Sequence, residues 1–300
     1  MDLRQLRFLV RTVESASISQ AARALNIAQP SLSQRIKDLE AELGVALLER
    51  APNGVRPTEV GARIAHRARA ILRLVDDLAA EAQTAAHEPG GEVLVGLPTT
   101  MALHLTTPLV KLVRARYPKV SLRISEGMSG HIQEWLISGR LDLAILYADA
   151  QIDGLRIERI TQEDLCLISG AGVAGAEDAP LRFADLRGFP LVLPGPDHGL
   201  RRSIEKVRLT VQATLDVAVE VDSLPHLKRL AMEGELHTIL PRAACEEEIG
   251  QGRLVARRIV DPALRRPITL ARAANRPGSL AVEKIAGLTR ELVLQTIGEA

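Results

Sequence analysis

The chain has 300 residues, 46% hydrophobic, 25% charged and 2% aromatic, which excludes a disordered or fibrous protein and leaves room for two or three domains with a core of Leu, Ile, Val and Ala. The net charge of +1 hides an asymmetry: residues 1–75 carry 12 basic and 7 acidic side chains, a net of +5, and the rest carry 26 and 30, a net of −4. A positive N-terminal part beside a slightly acidic remainder points to one module for a polyanion and another for something else.

Other classes fall away as well. Cys166 and Cys245 supply neither a disulfide framework nor a CxxC metal site, and are expected to be reduced thiols packed as small hydrophobes. The seven histidines form no HxxxH or HExxH pair, so no metal is expected. No apolar run is long enough for a bilayer, and Asp2, Arg4, Arg7, Arg11 and Glu14 break any signal-like stretch at the start. The expected location is the cytoplasm, with no membrane partner.

Leu3, Leu6, Val10 and Val13 make one face of a first helix, with Arg4, Arg7 and Arg11 off that face. Ser17 caps a short second helix to Leu25, with Gln20 at the capping-box position. Asn26 suits the helix end, and Pro30 suits the first turn of a third helix. Small Ala21 and Ala22 allow a close crossing, so the segment reads as a helix-turn-helix.

On the third helix Leu32, Ile36, Leu39 and Leu43 face the core. Pro30, Gln34, Lys37 and Asp38 point away from it, and Gln29, Pro30, Ser31, Ser33, Gln34 and Lys37 form the free edge, suited to base edges and phosphates in a major groove. Glu40 and Glu42 mark where that edge ends. Asn53-Gly54 between two short arms predicts a hairpin wing whose Arg50 and Arg56 lie along the phosphate backbone. Thr58 then caps a helix running to about Ala86. Its apolar positions Val60, Ile64, Ala68, Ile71, Val75, Leu78 and Ala82 follow a heptad rhythm and predict a dimer seam. Residues 87–91, HEPGG, read as a hinge.

The stretch LRQLRFLVRTVESASISQAARALNIAQPSLSQRIKDLEAELGVALLER, with the wing, Gly61 and the long helix, resembles the LysR-type family of bacterial transcriptional regulators. The chain departs from the family pattern around Pro57-Thr58-Glu59-Val60-Gly61.

Beyond the hinge, strand patterns at 92–97, 120–126, 141–147, 164–169, 190–194, 215–221, 236–241 and 267–273 alternate with helical patterns at 108–117, 130–138, 199–209, 223–233 and 278–297. Alternation predicts an α/β fold with parallel sheets. The resemblance implies an N-terminal winged helix-turn-helix domain (1–58), a linker helix and hinge (59–91) and an effector domain (92–300). That last domain has two periplasmic-binding-protein-like subdomains joined by crossover strands, one from about 92–162 and 268–300, the other from about 163–267. IAQPSLSQ, SGHIQEWLISGRLDLAILY and LPGPDHGLRRSIE look most like the nitrogen-assimilation-control subgroup.

Ligands in open α/β sheets bind beyond strand C-termini. Those points carry Thr99, Thr100, Met101, Gly127, Ser129, Tyr147, Pro194, His198, Ser223 and Thr238. Thr100, Ser129 and Ser223 also fall near helix starts, which favour an anion. The expected ligand is a small anionic effector, with no cofactor. Partners implied by the resemblance are promoter DNA, RNA polymerase and a second or further copies of the chain, as dimer or tetramer.

Two motifs compete. GAGVAG (170–175) matches a dinucleotide fingerprint, but Pro180 forbids the helix that should follow, so a mobile surface loop is expected. GMSGH (127–131) misses the GxSxG nucleophile elbow by one residue and reads as a helix start. An enzyme built on the glycine loop and a secreted solute-binding protein are both weaker than a regulator, because neither explains the winged helix-turn-helix.

Overall fold

The computed structural model describes residues 1–52, 54–83, 88–148, 151–173, 179–196, 198–274 and 278–298. They form two compact units, one holding Met1–Gly91 and the other the bulk of Glu92–Ala300.

The first unit begins with α1 (Leu3–Ser15), α2 (Ile18–Ala24) and α3 (Gln29–Leu43). A capping box starts α1: Gln5 N donates to Asp2 Oδ1 at 2.7 Å and Asp2 N donates to Gln5 Oε1 at 2.8 Å. Ser17 caps α2 by accepting from Gln20 N at 3.4 Å. Asn26 takes the left-handed backbone (φ 54°) that turns the chain into α3, and Pro30 sits in its first turn. Leu32, Ile36 and Leu39 are buried against Leu9, Ala21 and Ala22.

The wing pairs β1 (Leu48–Ala51) with β2 (Gly54–Pro57), antiparallel, with Ala51 opposite Gly54. Asn53, half of the expected turn signal, lies outside the described residues. Val55 N donates to Ala16 O at 3.0 Å and ties the wing to the α1–α2 turn. Thr58 caps α4 (Glu59–Gln83) through Gly61 N at 2.9 Å and donates its own hydroxyl to Ala46 O at 2.8 Å. A Cβ at Gly61 would stand 1.9 Å from Leu47 O, so only glycine lets the linker helix meet the end of the helix-turn-helix.

The apolar stripe of α4 divides along its length. Val60 and Ile64 pack into the helix-turn-helix core, and Ala68 with Leu72 buries against Leu6 and Val10 of α1. Ile71, Leu74 and Leu78 remain 41%, 42% and 70% exposed, so only this later part is free to pair. Residues 84–87, the expected helix end, and the side chain of Ala82 lie outside the described residues.

The second unit contains β3 (Gly91–Pro98), α5 (Thr99–Arg116), β4 (Val120–Gly127), α6 (Ser129–Ile137), β5 (Leu143–Leu146) and β6 (Leu155–Gly170). Then come β7 (Leu181–Arg182), β8 (Leu191–Leu193), α7 (Gly199–Thr210), β9 (Val217–Glu220), α8 (Leu224–Glu233) and β10 (Thr238–Pro241). The last elements are α9 (Glu246–Gly250), β11 (Leu254–Val260), β12 (Arg265–Ala273) and α10 (Leu280–Gly298). The main sheet runs β4-β3-β5-β12-β6-β11-β7, β10 also pairs with β6, and β8-β9 form a short parallel pair.

Two features differ from the sequence expectation. The sheets are mixed: β6 and β12 run antiparallel over nine register positions, as two crossover strands between two lobes. And α5 begins at Thr99, not Pro108; the proline sits inside the helix, where it lacks only its own N–H. Each lobe has its own core. One gathers Val93, Leu97, Leu105, Ile145 and Ile285, the other Leu165, Phe183, Leu191, Ile204 and Ile239. No helix of the described residues is long and apolar enough to cross a membrane.

Candidate functional site

The first candidate surface is the free face of α3. Gln29, Pro30, Ser31, Gln34 and Lys37 are exposed, with Ser33 and Ser17 half-buried. Both glutamines are held: Gln29 Nε2 donates to Ser33 Oγ at 3.1 Å and Gln34 Nε2 to Asp38 Oδ1 at 2.9 Å. Arg35, absent from the expected free edge, is exposed beside Gln34. Arg50 and Arg56 are exposed on the wing, and Arg56 pairs with Glu49 across the hairpin at 2.8 Å. Glu40, expected at the end of the free edge, has a structural bond of its own. Its Oε1 accepts from Leu47 N at 2.7 Å and Leu48 N at 3.0 Å, so it turns inward and holds the chain entering the wing.

The second candidate is a cleft of the effector unit with about 500 Å³ of empty volume, part of it open to solvent. Its walls come from strand ends and the helix starts that follow them. Pro98, Thr99 and Thr100 lie where β3 becomes α5, and Gly127, Met128 and Ser129 where β4 becomes α6. Tyr147 follows β5, Pro194 and His198 lie between β8 and α7, and Asp222 and Ser223 between β9 and α8.

Four helix N-termini therefore border one space. Two of them, α5 and α8, have no side-chain cap, which leaves backbone N–H donors for a ligand. Ser223 bonds His226 Nδ1 at 2.7 Å instead of capping α8. The α6 and α7 starts approach closely: a Cβ on Gly199 would lie 3.3 Å from Ser129 Cβ.

Arg266 of β12 reaches this cleft from the crossover and is 1% exposed. Its Nε donates to Glu163 Oε1 at 2.6 Å and an Nη donates to Thr100 Oγ1 at 2.9 Å. Its guanidinium carbon lies 3.6 Å from the Tyr147 ring centroid. Thr100 Oγ1 and the Tyr147 hydroxyl share a 2.5 Å hydrogen bond. Burial raises the Tyr147 phenol well above its usual range, so it stays neutral.

His198 caps α7, its Nδ1 accepting from Leu200 N at 3.1 Å, which leaves the ring hydrogen on Nε2. Burial lowers its pKa; Asp222 opposes that and Arg266 and Arg202 add to it. The cleft thus presents neutral donors, one internally paired cation and one carboxylate. Leu200, Leu224, Leu227 and Leu240 supply apolar wall.

Eight of the ten nominated residues line this cleft, and two do not. Met101 is 1% exposed in the core of the first lobe, because one step into α5 turns the side chain away from the strand end. Thr238 is wholly buried at the start of β10, paired opposite Ile168. The sequence reading missed Pro98, Arg266, Asp222, Met128 and the four leucines. Asp222, next to Ser223 at a strand end, had the positional signal; Arg266, the second residue of β12 beside Arg265, had none. Of the glycine motif at 170–175, residues 174 and 175 lie outside the described residues, while Gly170 closes β6. Ser129 opens α6 as a helix start.

Residues 3–62 match the model of the bacterial regulatory helix-turn-helix protein, lysR family, and residues 86–293 match the LysR substrate binding domain. The nitrogen assimilation regulatory protein nac of Escherichia coli (strain K12) is 32% identical over 305 residues, covering 99% of this chain and 95% of its own. A probable hydrogen peroxide-inducible genes activator of Streptomyces viridosporus is 31% identical, covering 97% and 94%. Among solved structures, a full-length OxyR point variant from Pseudomonas aeruginosa has a TM-score of 0.80 at 23% identity, over 98% of this chain and 95% of that one. The chain belongs to the LysR family of transcriptional regulators, DNA-binding proteins with an effector-responsive second domain rather than enzymes.

Proposed function

We propose that α3 enters the major groove of promoter DNA with Gln29, Pro30, Ser31, Ser33, Gln34 and Lys37. In this reading Ser17, Arg50 and Arg56 hold the flanking phosphates. The observation that supports it is the polar, exposed face of α3 opposite buried Leu32, Ile36 and Leu39. Ile71, Leu74 and Leu78 of α4 are the natural seam with a second copy, which would space two reading helices for two half-sites. Dimers of dimers would then bend the promoter and change its contact with RNA polymerase in the cytoplasm. The working domain limits are 1–58, 59–91 and 92–300.

The cleft is read as the effector site. Its uncapped helix starts favour a negative group. Arg266 adds little net charge because Glu163 neutralises it, and Asp222 disfavours a second negative group. The ligand that fits best is a small monoanion with an apolar body, placed by Thr99, Thr100, Gly127, Ser129, Tyr147, Pro194, His198 and Ser223. Binding at the junction of two lobes biases their relative orientation, and so the assembly on DNA.

The test is a thermal-shift series on the full chain, comparing small monocarboxylates with their neutral amides. A saturating ligand at a hundred times its Kd stabilises by about 2.7 kcal/mol. Amides that shift the melt as much as the acids would remove the anion reading. For the DNA face, Arg56→Ala should lower affinity on every sequence and flatten its salt dependence; an unchanged slope removes Arg56 from the phosphate contacts.

A further inference from the structure

The side-chain amide of Gln34 is oriented by its neighbour one helical turn on. Nε2 donates to Asp38 Oδ1 at 2.9 Å, and both residues are exposed on the free face of α3. A carboxylate can only accept, so this bond decides which end of the amide is nitrogen. One Nε2 hydrogen is consumed. What remains for a base is Oε1, an acceptor, beside the other Nε2 hydrogen, a donor.

Adenine offers the complement in the major groove, an N6 donor beside the N7 acceptor. Guanine offers two acceptors, N7 and O6, and a held Gln34 has one hydrogen left for them. Gln29 makes the contrast. Its partner is the Ser33 hydroxyl at 3.1 Å, which donates as well as accepts, so that amide can turn either way.

Charge sharpens the point. An exposed carboxylate on a helix that faces a polyanion weakens binding to all sequences alike. Asp38 therefore contributes nothing to affinity as such, and its hydrogen bond to Gln34 is what gives it a use there. A role confined to helix stability would leave base preference untouched.

We propose that Asp38 is a positioning residue: it fixes the Gln34 amide so that Gln34 selects adenine at one operator position. This rests on α3 being the groove-reading helix. The experiment selects a duplex pool randomised over a full site on the full-length protein and sequences the bound fraction. The proteins are wild type, Q34A, D38A, D38N and the Q34A/D38A double variant. Competition against single-base changes then measures discrimination.

Q34A should flatten preference for adenine at one position by about tenfold. D38A should lower discrimination at that same position by about threefold, with affinity for random duplex held or raised. D38N, whose amide donates as well as accepts, frees the Gln34 amide to turn and should lose discrimination as D38A does. In the Q34A background D38A should change discrimination no further. Full discrimination in D38A overturns the proposal, as does an equal loss from D38A with and without Gln34, which would make Asp38 a direct base contact. Guanine at the Gln34-dependent position overturns it too. If Q34A alters no position, the reading of α3 falls and takes the proposal with it.

Discussion

Glu163 and Arg266 sit opposite one another on the two crossover strands and pair at 2.6 Å, with side chains 4% and 1% exposed. The second carboxylate oxygen of Glu163 is buried without a partner among the described residues. Removing one member leaves the other charge stranded in a low-dielectric interior. Arg266→Met should destabilise the chain by about 3–5 kcal/mol, and adding Glu163→Leu should restore most of it. Urea unfolding of the single and double variants checks this; equal loss in both would show that the pair's packing, not its charge, sustains the crossover.

Glu40 gives a second prediction, from a residue whose role changes between sequence and structure. Glu40→Ala strips two backbone donors, Leu47 N and Leu48 N, of their acceptor. The cost should be about 1–3 kcal/mol, while Glu40→Gln, which keeps an accepting oxygen, should lose less. Protease susceptibility at the wing would report it. An alanine variant as resistant as wild type would mean that water satisfies those donors equally well.

The contrast between Glu40 and Ser129 shows where the sequence is legible. Helix starts and strand ends announce themselves through periodicity, proline and small polar residues, so Thr99, Ser129, His198 and Ser223 can be placed from spacing alone. Side chains that work by turning inward cannot. Glu40 reads as an exposed acid, because nothing in KDLEAEL tells which acid meets the backbone seven residues on. Arg266 sits in ALRRPITL, which reads as a polar strand edge, yet only pairing with Glu163, 103 residues away, explains an arginine that is 1% exposed. The antiparallel direction of the crossover strands is hidden for the same reason: alternation of strands and helices carries no record of strand direction.

Acid should weaken the effector unit before its carboxylates protonate. Burial holds the imidazoles of His198 and His237 below the usual range, with Arg257 adding to the effect at His237. A folded pKa below the unfolded one means that the unfolded chain binds more protons between them. The stability involved is fully present above about pH 6.5 and is lost as pH falls toward the folded values. Each imidazole contributes a slope of at most about 1.4 kcal/mol per pH unit. Melts between pH 8 and pH 5 should fall on the acid side. His237→Asn, whose amide can still hydrogen-bond the Ser169 hydroxyl that lies 2.7 Å from Nδ1, should flatten that limb. A melting temperature level from pH 7 to pH 5 would sink the idea.

The two cysteines of this chain are buried, and burial raises both thiols, so neither is expected to react readily with peroxide. Reaction with peroxide needs a thiolate that solvent can reach. Cys245 is 0% exposed and Cys166 is 3% exposed. Burial, assisted by Asp164, pushes the Cys166 thiol up to about 11, and burial pushes Cys245 up to about 12. At neutral pH the Cys166 thiolate is therefore scarce. A modest excess of hydrogen peroxide should therefore leave the intact mass and the DNA footprint unchanged over minutes, while both thiols label once the chain is unfolded in denaturant. A rapid mass gain, or a Cys166–Cys245 disulfide that alters the footprint, would show that the second lobe opens often enough to make its thiols a sensor.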